Sequence, residues 1–357
     1  MDRGTIGLLP RAPTLEDESH LGFYESLRNF AIRELFPVAA QRIGQAVEEA
    51  GLPDGGTTAP LPQLLEATSP LPVVGAWKRI MRSQQQRTWA KVRDTLLADE
   101  ATHEQALLEA ERKAPGRLHY DPAFEVPDYA CREIHLQPGG YVGDRTVAGH
   151  VFHYGTQVFY QGDNDQDELH IDVASRVATP ADGQVSRILD LGCSIGQATT
   201  ALKTRFPQAE VWGLDVALPL LRYGHLRAVN LDSEVHFKQA LAEDTGFADG
   251  EFDAVLAYIL FHEVPEALFP QIIAEAWRVL RPGGTFSIVD APNGQAFPAP
   301  NRVWLEFDAN HNCEPYSPAF VASDFRALLE AQGFNITHSG PTPTFLWCTQ
   351  CEKPAQS

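Results

Sequence analysis

Two periodicities divide the chain. From Leu21 apolar residues recur three and four positions apart, the spacing of one face of a helix: Phe23, Leu27, Phe30, Ala31 and Leu35. Pro37 predicts a kink or a split before Ile43 and Val47, and Gly51 predicts a stop. Residues 52–72 are rich in Gly, Pro and Thr and read as a loop with a short helix near Leu64. A second helical run, from 73 to about 113, carries Trp77, Ile80, Met81, Trp89, Val92 and Leu96 on one face. Helix-on-helix packing accounts for that face; a substrate chamber or a dimer seam is the alternative for Trp77 and Trp89. Residues 1–20 read as a loose polar arm. Residues 114–150 read as irregular, with helices expected at 145–160 and 165–178.

Beyond Arg187 the period shortens. Short apolar strands are expected at 187–191, 210–214, 235–239, 254–258, 285–290, 334–339 and 344–347. Helices centre on 197–206, 217–228, 265–280 and 321–332. Such alternation predicts an α/β fold, a doubly wound and mostly parallel sheet covered by helices on both faces. The expected division is a helical N-terminal region, 1–125, serving as a lid or dimerisation element, and a sheet domain, 126–350.

The chain has 357 residues, more than one ordinary core needs. Its formal net charge is −19. Such a surface repels phosphate, so neither nucleic acid nor an anionic membrane is expected as a partner. No run of about 18 apolar residues predicts a membrane span. Met1-Asp-Arg-Gly lacks a signal pattern, so the expected location is cytoplasmic, where the five cysteines stay reduced. Cys348-Thr-Gln-Cys351 is a CxxC pair, and only His311 and Cys313, far away in sequence, offer further ligands. Two ordinary thiols near a final strand, and no metal, are expected.

Candidate chemistry begins at Ile188-Leu-Asp-Leu-Gly-Cys-Ser-Ile-Gly196, an apolar strand entering a glycine turn and then a helix. Gly192 and Gly196 let the backbone approach a ligand, and the helix that follows presents free N–H groups. Asp215 ends the next strand, where a carboxylate can grip both hydroxyls of a ribose. The turn also fits G-x-S-x-G, with Ser194 as a hydrolase nucleophile. That elbow normally follows several strands, whereas the chain before Arg187 reads as helical, and it gives Asp215 no role. The G-x-G-x-x-G pattern of nicotinamide enzymes fails at Ser194.

Five pieces in order carry a resemblance: DLGCSIG (190–196), WGLD (212–215), AEDTGFADGEFD (242–253), FHEVP (261–265) and LRPGG (280–284). Residues 185–290 resemble a class I S-adenosylmethionine-dependent methyltransferase, of the group that includes ubiquinone and menaquinone biosynthesis methyltransferases and many natural-product enzymes. The resemblance implies a Rossmann-like sheet, S-adenosylmethionine as cofactor and a small organic methyl acceptor. It implies that Asp190, Gly192 and Gly196 hold the methionine end, that Asp215 holds the ribose, and that Ala242 and Glu243 lie beside the adenine. Tyr258, ending the fourth strand, is a further cofactor-side candidate. Leu241 stands where many relatives carry an aspartate to the adenine amino group, which leaves that recognition to backbone groups or another residue. A protein that binds the cofactor without transferring methyl is the alternative.

Acceptor-side residues are expected on loops at the strands' carboxyl ends. His262 reads as a general base or as a packing histidine. Residues 291–318 read as one long loop containing Asn310-His-Asn-Cys-Glu-Pro-Tyr316. From it, His311 and Glu314 are catalytic candidates and Tyr316 a substrate-side candidate. Tyr141, in HLQPGGY (135–141), is another substrate-side candidate or part of a plain structural turn. The expectation is O-methylation by in-line transfer with a His/Glu-assisted acceptor, and homodimerisation through the N-terminal helices.

Overall fold

A computed structural model describes residues 3–143 and 146–355. A short hairpin, β1 (Thr5–Ile6) and β2 (Leu9–Pro10), precedes α1 (Leu15–Phe30). The expected loose arm is therefore ordered. Thr14 caps α1 by accepting from the Asp17 N–H at 3.1 Å, and Glu16, Asp17 and Glu18 occupy the first turn, where the helix dipole favours acids. A π-turn at Ala31–Leu35 leads into α2 (Phe36–Glu49). Pro37 explains it: proline offers no N–H and clashes with the carbonyl four residues back, and the wider turn absorbs both. Helices α3 (Leu61–Thr68), α4 (Pro72–Leu97) and α5 (Glu100–Lys113) follow.

One expectation is reversed on α1. Phe23 and Phe30 face solvent, 61% and 48% exposed, while Arg28 is buried. The Arg28 guanidinium lies 3.9 Å over the Phe159 ring and donates to Gln85 Oε1. Leu21 faces an apolar cluster with Trp89 and Val92, and Arg28 is accommodated inward because its charge is paired with the Phe159 ring, the Phe159 carbonyl and Gln85. Trp77 and Trp89 are packing residues. Trp77 packs at a tilt among Phe36, Trp304 and Phe307. Trp89 lies so close to Gly155 that a Cβ there would come within 1.8 Å of its ring.

A two-residue strand that the sequence did not announce, β3 (Leu118–His119), is followed by α6 (Ala148–Phe159) and α7 (Glu168–Ser175). Then come β4 (Arg187–Leu191), α8 (Gln197–Arg205), β5 (Glu210–Asp215), α9 (Leu218–Asn230), β6 (Val235–Gln239), β7 (Phe252–Tyr258), α10 (Phe269–Val279) and β8 (Leu280–Asp290). The chain continues through α11 (Ala299–His311), α12 (Ser317–Ala322), α13 (Phe325–Gln332), β9 (Asn335–Pro341) and β10 (Trp347–Glu352). The main sheet has the order β3-β6-β5-β4-β7-β8-β10-β9, with β10 antiparallel to both neighbours and the other pairs parallel. This is the expected doubly wound, mostly parallel sheet. It buries apolar clusters on both faces, Leu189, Val255 and Phe286 in one, Ile188, Leu256 and Phe237 in the other. The chain winds outward from β4 to β6, then crosses back to β7. The carboxyl ends of β4 and β7 thus flank the switch point, where such sheets bind ligands.

Two expectations are corrected beyond β8. The supposed loop 291–318 contains α11: prolines suit a first helical turn, and Val303, Trp304 and Phe307 then repeat at helical spacing. The last strand runs from Trp347 rather than ending there. Cys348 and Cys351 lie three residues apart on it and enter separate apolar clusters, so they form no metal-binding or redox pair. Among the described residues no helix is long and apolar enough to cross a membrane.

Candidate functional site

The glycine turn leaves β4 and reverses tightly. Gly192, Ser194 and Gly196 take φ of +70°, +51° and +71°. The Gly192 and Cys193 N–H groups both donate to Leu214 O, tying the turn to β5. A Cβ on Gly192 would meet Leu260 Cδ1 at 2.8 Å, and one on Gly196 would meet the Phe237 ring at 2.5 Å. Both positions therefore need glycine for space as well as for backbone conformation. Ser194 Oγ is buried and has no hydrogen-bond partner. With no base hydrogen-bonded to its hydroxyl, Ser194 is not an activated nucleophile, which removes the hydrolase reading.

Asp215 stands at the end of β5. Its Oδ2 accepts from the Ser194 N–H and its Oδ1 from the Ala217 N–H, each at 2.9 Å. Each oxygen keeps acceptor capacity for a hydroxyl. With the orphaned Ser194 hydroxyl next to it, this donor and acceptor set fits a ligand with paired hydroxyls, such as a nucleoside sugar. Asp190 is buried beneath the turn and accepts from Thr199 Oγ1 at 2.6 Å. Burial pushes its carboxyl up to about 7, the Thr199 hydroxyl opposing and the Asp215 charge adding. A folded-state value above the ordinary one makes ionisation oppose folding, with the loss building as pH rises from about 4 to about 7. Asp190→Asn is therefore expected to raise the thermal midpoint of the cofactor-free protein more at pH 8 than at pH 4. Equal shifts at both would remove the burial argument.

On the far side of Asp215, Glu243 accepts from Tyr129 Oη at 2.9 and 3.2 Å through its two oxygens. Ala242 is buried beside it. Tyr129 lies in the segment expected to be irregular, and nothing local in the sequence singles it out. Tyr316 Oη donates to Tyr129 O at 3.3 Å, which places Tyr316 with Glu243 rather than with the groups on β8. Tyr258 turns its ring to the other layer, edge-on to His170 at 5.4 Å. Its side chain is not part of this wall.

A second set of polar groups gathers after β7 and β8. Leu260, which covers Gly192, is followed by Phe261, His262 and Glu263. Asp290, ending β8, accepts from the Phe261 N–H at 2.9 Å and the Ala291 N–H at 2.6 Å, and pairs with His262 Nδ1. Burial works against a charged His262, but Asp290 raises it overall, to about 10. The pairing with Asp290 favours the protonated ring. His135 lies opposite, its Nε2 3.6 Å from Glu263 Oε1 and its Nδ1 2.6 Å from Glu314 Oε1. Tyr141 Oη donates to Glu263 Oε1 at 3.3 Å. Burial, then the Glu314 charge, push Glu263 above the usual carboxylate range.

Glu314, Tyr141 and His262 thus converge, as does His135, which sequence reasoning had grouped with Tyr141 but not proposed as catalytic. His311 does not. It ends α11 beside Arg82, with its ring against Phe307. The HLQPGGY segment is held from α4: Gln85 Nε2 and Trp89 Nε1 each donate to His135 O at 2.6 Å.

Residues 188–284 match a family described as a methyltransferase domain. The uncharacterized methyltransferase sll0829 of Synechocystis sp. is 32% identical over 152 residues, 42% of this chain and 67% of its own. A demethylmenaquinone methyltransferase of Thermus thermophilus is 32% identical over 168 residues, 43% of this chain and 76% of its own. A fatty-acid O-methyltransferase of Mycolicibacterium smegmatis is 34% identical over 131 residues, 36% of this chain and 46% of its own. The matched stretch spans the glycine turn and the strands beside it. The chain belongs to the class I S-adenosylmethionine-dependent methyltransferases, enzymes with a Rossmann-like sheet and S-adenosylmethionine as cofactor.

Proposed function

We propose that the enzyme methylates a hydroxyl oxygen of a small organic molecule held between the glycine turn and the groups after β7 and β8. The observation that carries this reading is the convergence of half-buried His135 and Glu263 on buried Glu314, close to Gly192 with Leu260 as the bridge. The identity of one relative as a fatty-acid O-methyltransferase supports the choice of oxygen.

When bound, S-adenosylmethionine supplies an electrophilic methyl group on its sulfonium. Asp190, Gly192 and Gly196 take its methionine end, and Asp215 takes its ribose. Ala242 and Glu243 flank the adenine, with Tyr129 locking the Glu243 carboxylate where Leu241 offers no polar group. Tyr258 contributes by supporting the end of β7. On the acceptor side, Glu263 and Glu314 hold the acceptor hydroxyl and take its proton. His262, anchored on Asp290, orients the acceptor from the other side, and Tyr141 fixes Glu263. Such positioning is worth several kcal/mol, of the order of 7 or more when the reacting atoms are well aligned.

Residues 1–125 act as a lid in this reading, since α4 holds the His135 segment down; residues 126–350 carry the cofactor. The outward Phe23 and Phe30 of α1 support a homodimer through the same region. The net charge of −19 argues against nucleic acid as acceptor.

The test is transfer from S-adenosylmethionine with an isotopically labelled methyl group into a small-molecule extract, followed by fragmentation of the labelled product. Label on an oxygen is the expected result. Label only on nitrogen or carbon overturns the choice of atom. Tight cofactor binding with no labelled product favours a binding protein without methyl transfer.

A further inference from the structure

We infer that His135, Glu263 and Glu314 form a site for one divalent cation. This deepens the acceptor-side reading above and rests on it only for the cation's role, not for its binding. One ligand atom from each residue lies within 4.8 Å of the others. The three come from separate parts of the chain: the segment before α6, the turn after β7 and the segment after α11.

Glu314 is 4% exposed, and neither of its carboxylate oxygens accepts a hydrogen bond. A buried carboxylate without donors is costly. Its nearest polar neighbour is the His135 ring, with Nδ1 2.6 Å from Glu314 Oε1. Asn312 Nδ2 faces the same ring nitrogen at 3.3 Å, while Asn312 Oδ1 accepts from Gln85 Nε2. A single proton or a divalent cation that replaces it can join this nitrogen to the carboxylate, and Glu263 Oε1, 3.6 Å from the other nitrogen of the same ring, supplies the third ligand that a cation needs.

The wider charge balance points the same way. Glu263, Glu314, Asp290 and Asp308 share one buried region with His135, His262 and Arg28. The carboxylates outnumber the cationic groups even when both imidazoles are protonated. One imidazole and two carboxylates suit manganese, iron or zinc in the divalent state. Three protein ligands leave positions open for water and for an acceptor oxygen. The ligands are held in place: the His135 carbonyl is fixed by Gln85 and Trp89, and Asp308 O accepts from the Glu314 N–H at 3.1 Å.

The test uses the full chain, stripped with a chelator and titrated with Mn²⁺ under electron paramagnetic resonance. One Mn²⁺ per chain is expected, with nitrogen hyperfine coupling from an imidazole. Glu314→Gln and Glu263→Gln should each weaken binding by about tenfold or more. Calorimetry with S-adenosylmethionine on the same samples reports whether each variant is folded. No Mn²⁺ bound by the wild type, with Mg²⁺ and Zn²⁺ equally inert, overturns the site. So does binding that the glutamine variants leave unchanged. If a variant fails to fold, the wild-type spectrum decides: no nitrogen coupling overturns the assignment. Methyl transfer that persists in chelator, without metal binding, sinks the cation and spares the proposed reaction. Metal binding without oxygen methylation does the reverse.

Discussion

Asp215→Ala is expected to weaken S-adenosylmethionine binding about a hundredfold or more in calorimetry. A carboxylate that accepts from two sugar hydroxyls contributes roughly 1.5–3 kcal/mol per charge-assisted bond, and 2.7 kcal/mol is about a hundredfold in affinity. The same substitution also frees the Ser194 and Ala217 N–H groups, so the turn loses its anchor. Asp215→Asn separates the two effects. An amide keeps one acceptor oxygen, and its affinity should fall between wild type and alanine. Unchanged binding in the alanine variant would sink the ribose contact.

His262→Asn is expected to slow methyl transfer about a hundredfold, within the range that a positioned proton donor or acceptor contributes. Asparagine can still donate to Asp290, so the buried carboxylate is not abandoned and the protein should fold. The loss should fall on kcat at saturating cofactor, with S-adenosylmethionine affinity near that of the wild type. His311→Ala is the contrast. That ring sits beside Arg82 at the end of α11, and its removal should change turnover by only a few-fold. Equal losses in both variants would mean that neither ring acts at the acceptor, and the proposed geometry would fall with them.

The two predictions differ in how much of their basis could be read without the structure. Asp215 follows the glycine turn by about twenty residues in one strand–helix–strand unit. That unit is local, and its alternation of apolar strands and amphipathic helices is written in consecutive residues. The same holds for Gly192 and Gly196, where left-handed backbone leaves few residue types. His262 was visible as a histidine after a strand, but its charge state was not. Asp290, 28 residues away and at the end of another strand, is the group that favours the protonated ring.

Other misreadings share one cause. Periodicity shows that α1 has two faces but not what each face meets; Arg28 is inward because Gln85 and Phe159, distant in sequence, pair with it. β3 has two residues and no period to read. α11 was hidden by prolines that start a helix as readily as they punctuate a loop. The sequence by itself determined the doubly wound sheet, the glycine turn, the Asp215 carboxylate and membership of the methyltransferase family. Only the tertiary structure brought His135, Glu263 and Glu314 together, put Tyr129 on Glu243 and left His311 outside. Local patterns encode strand, turn and helix, whereas a site assembled from His135, Glu263 and Glu314, distant in sequence, exists only once the chain has packed.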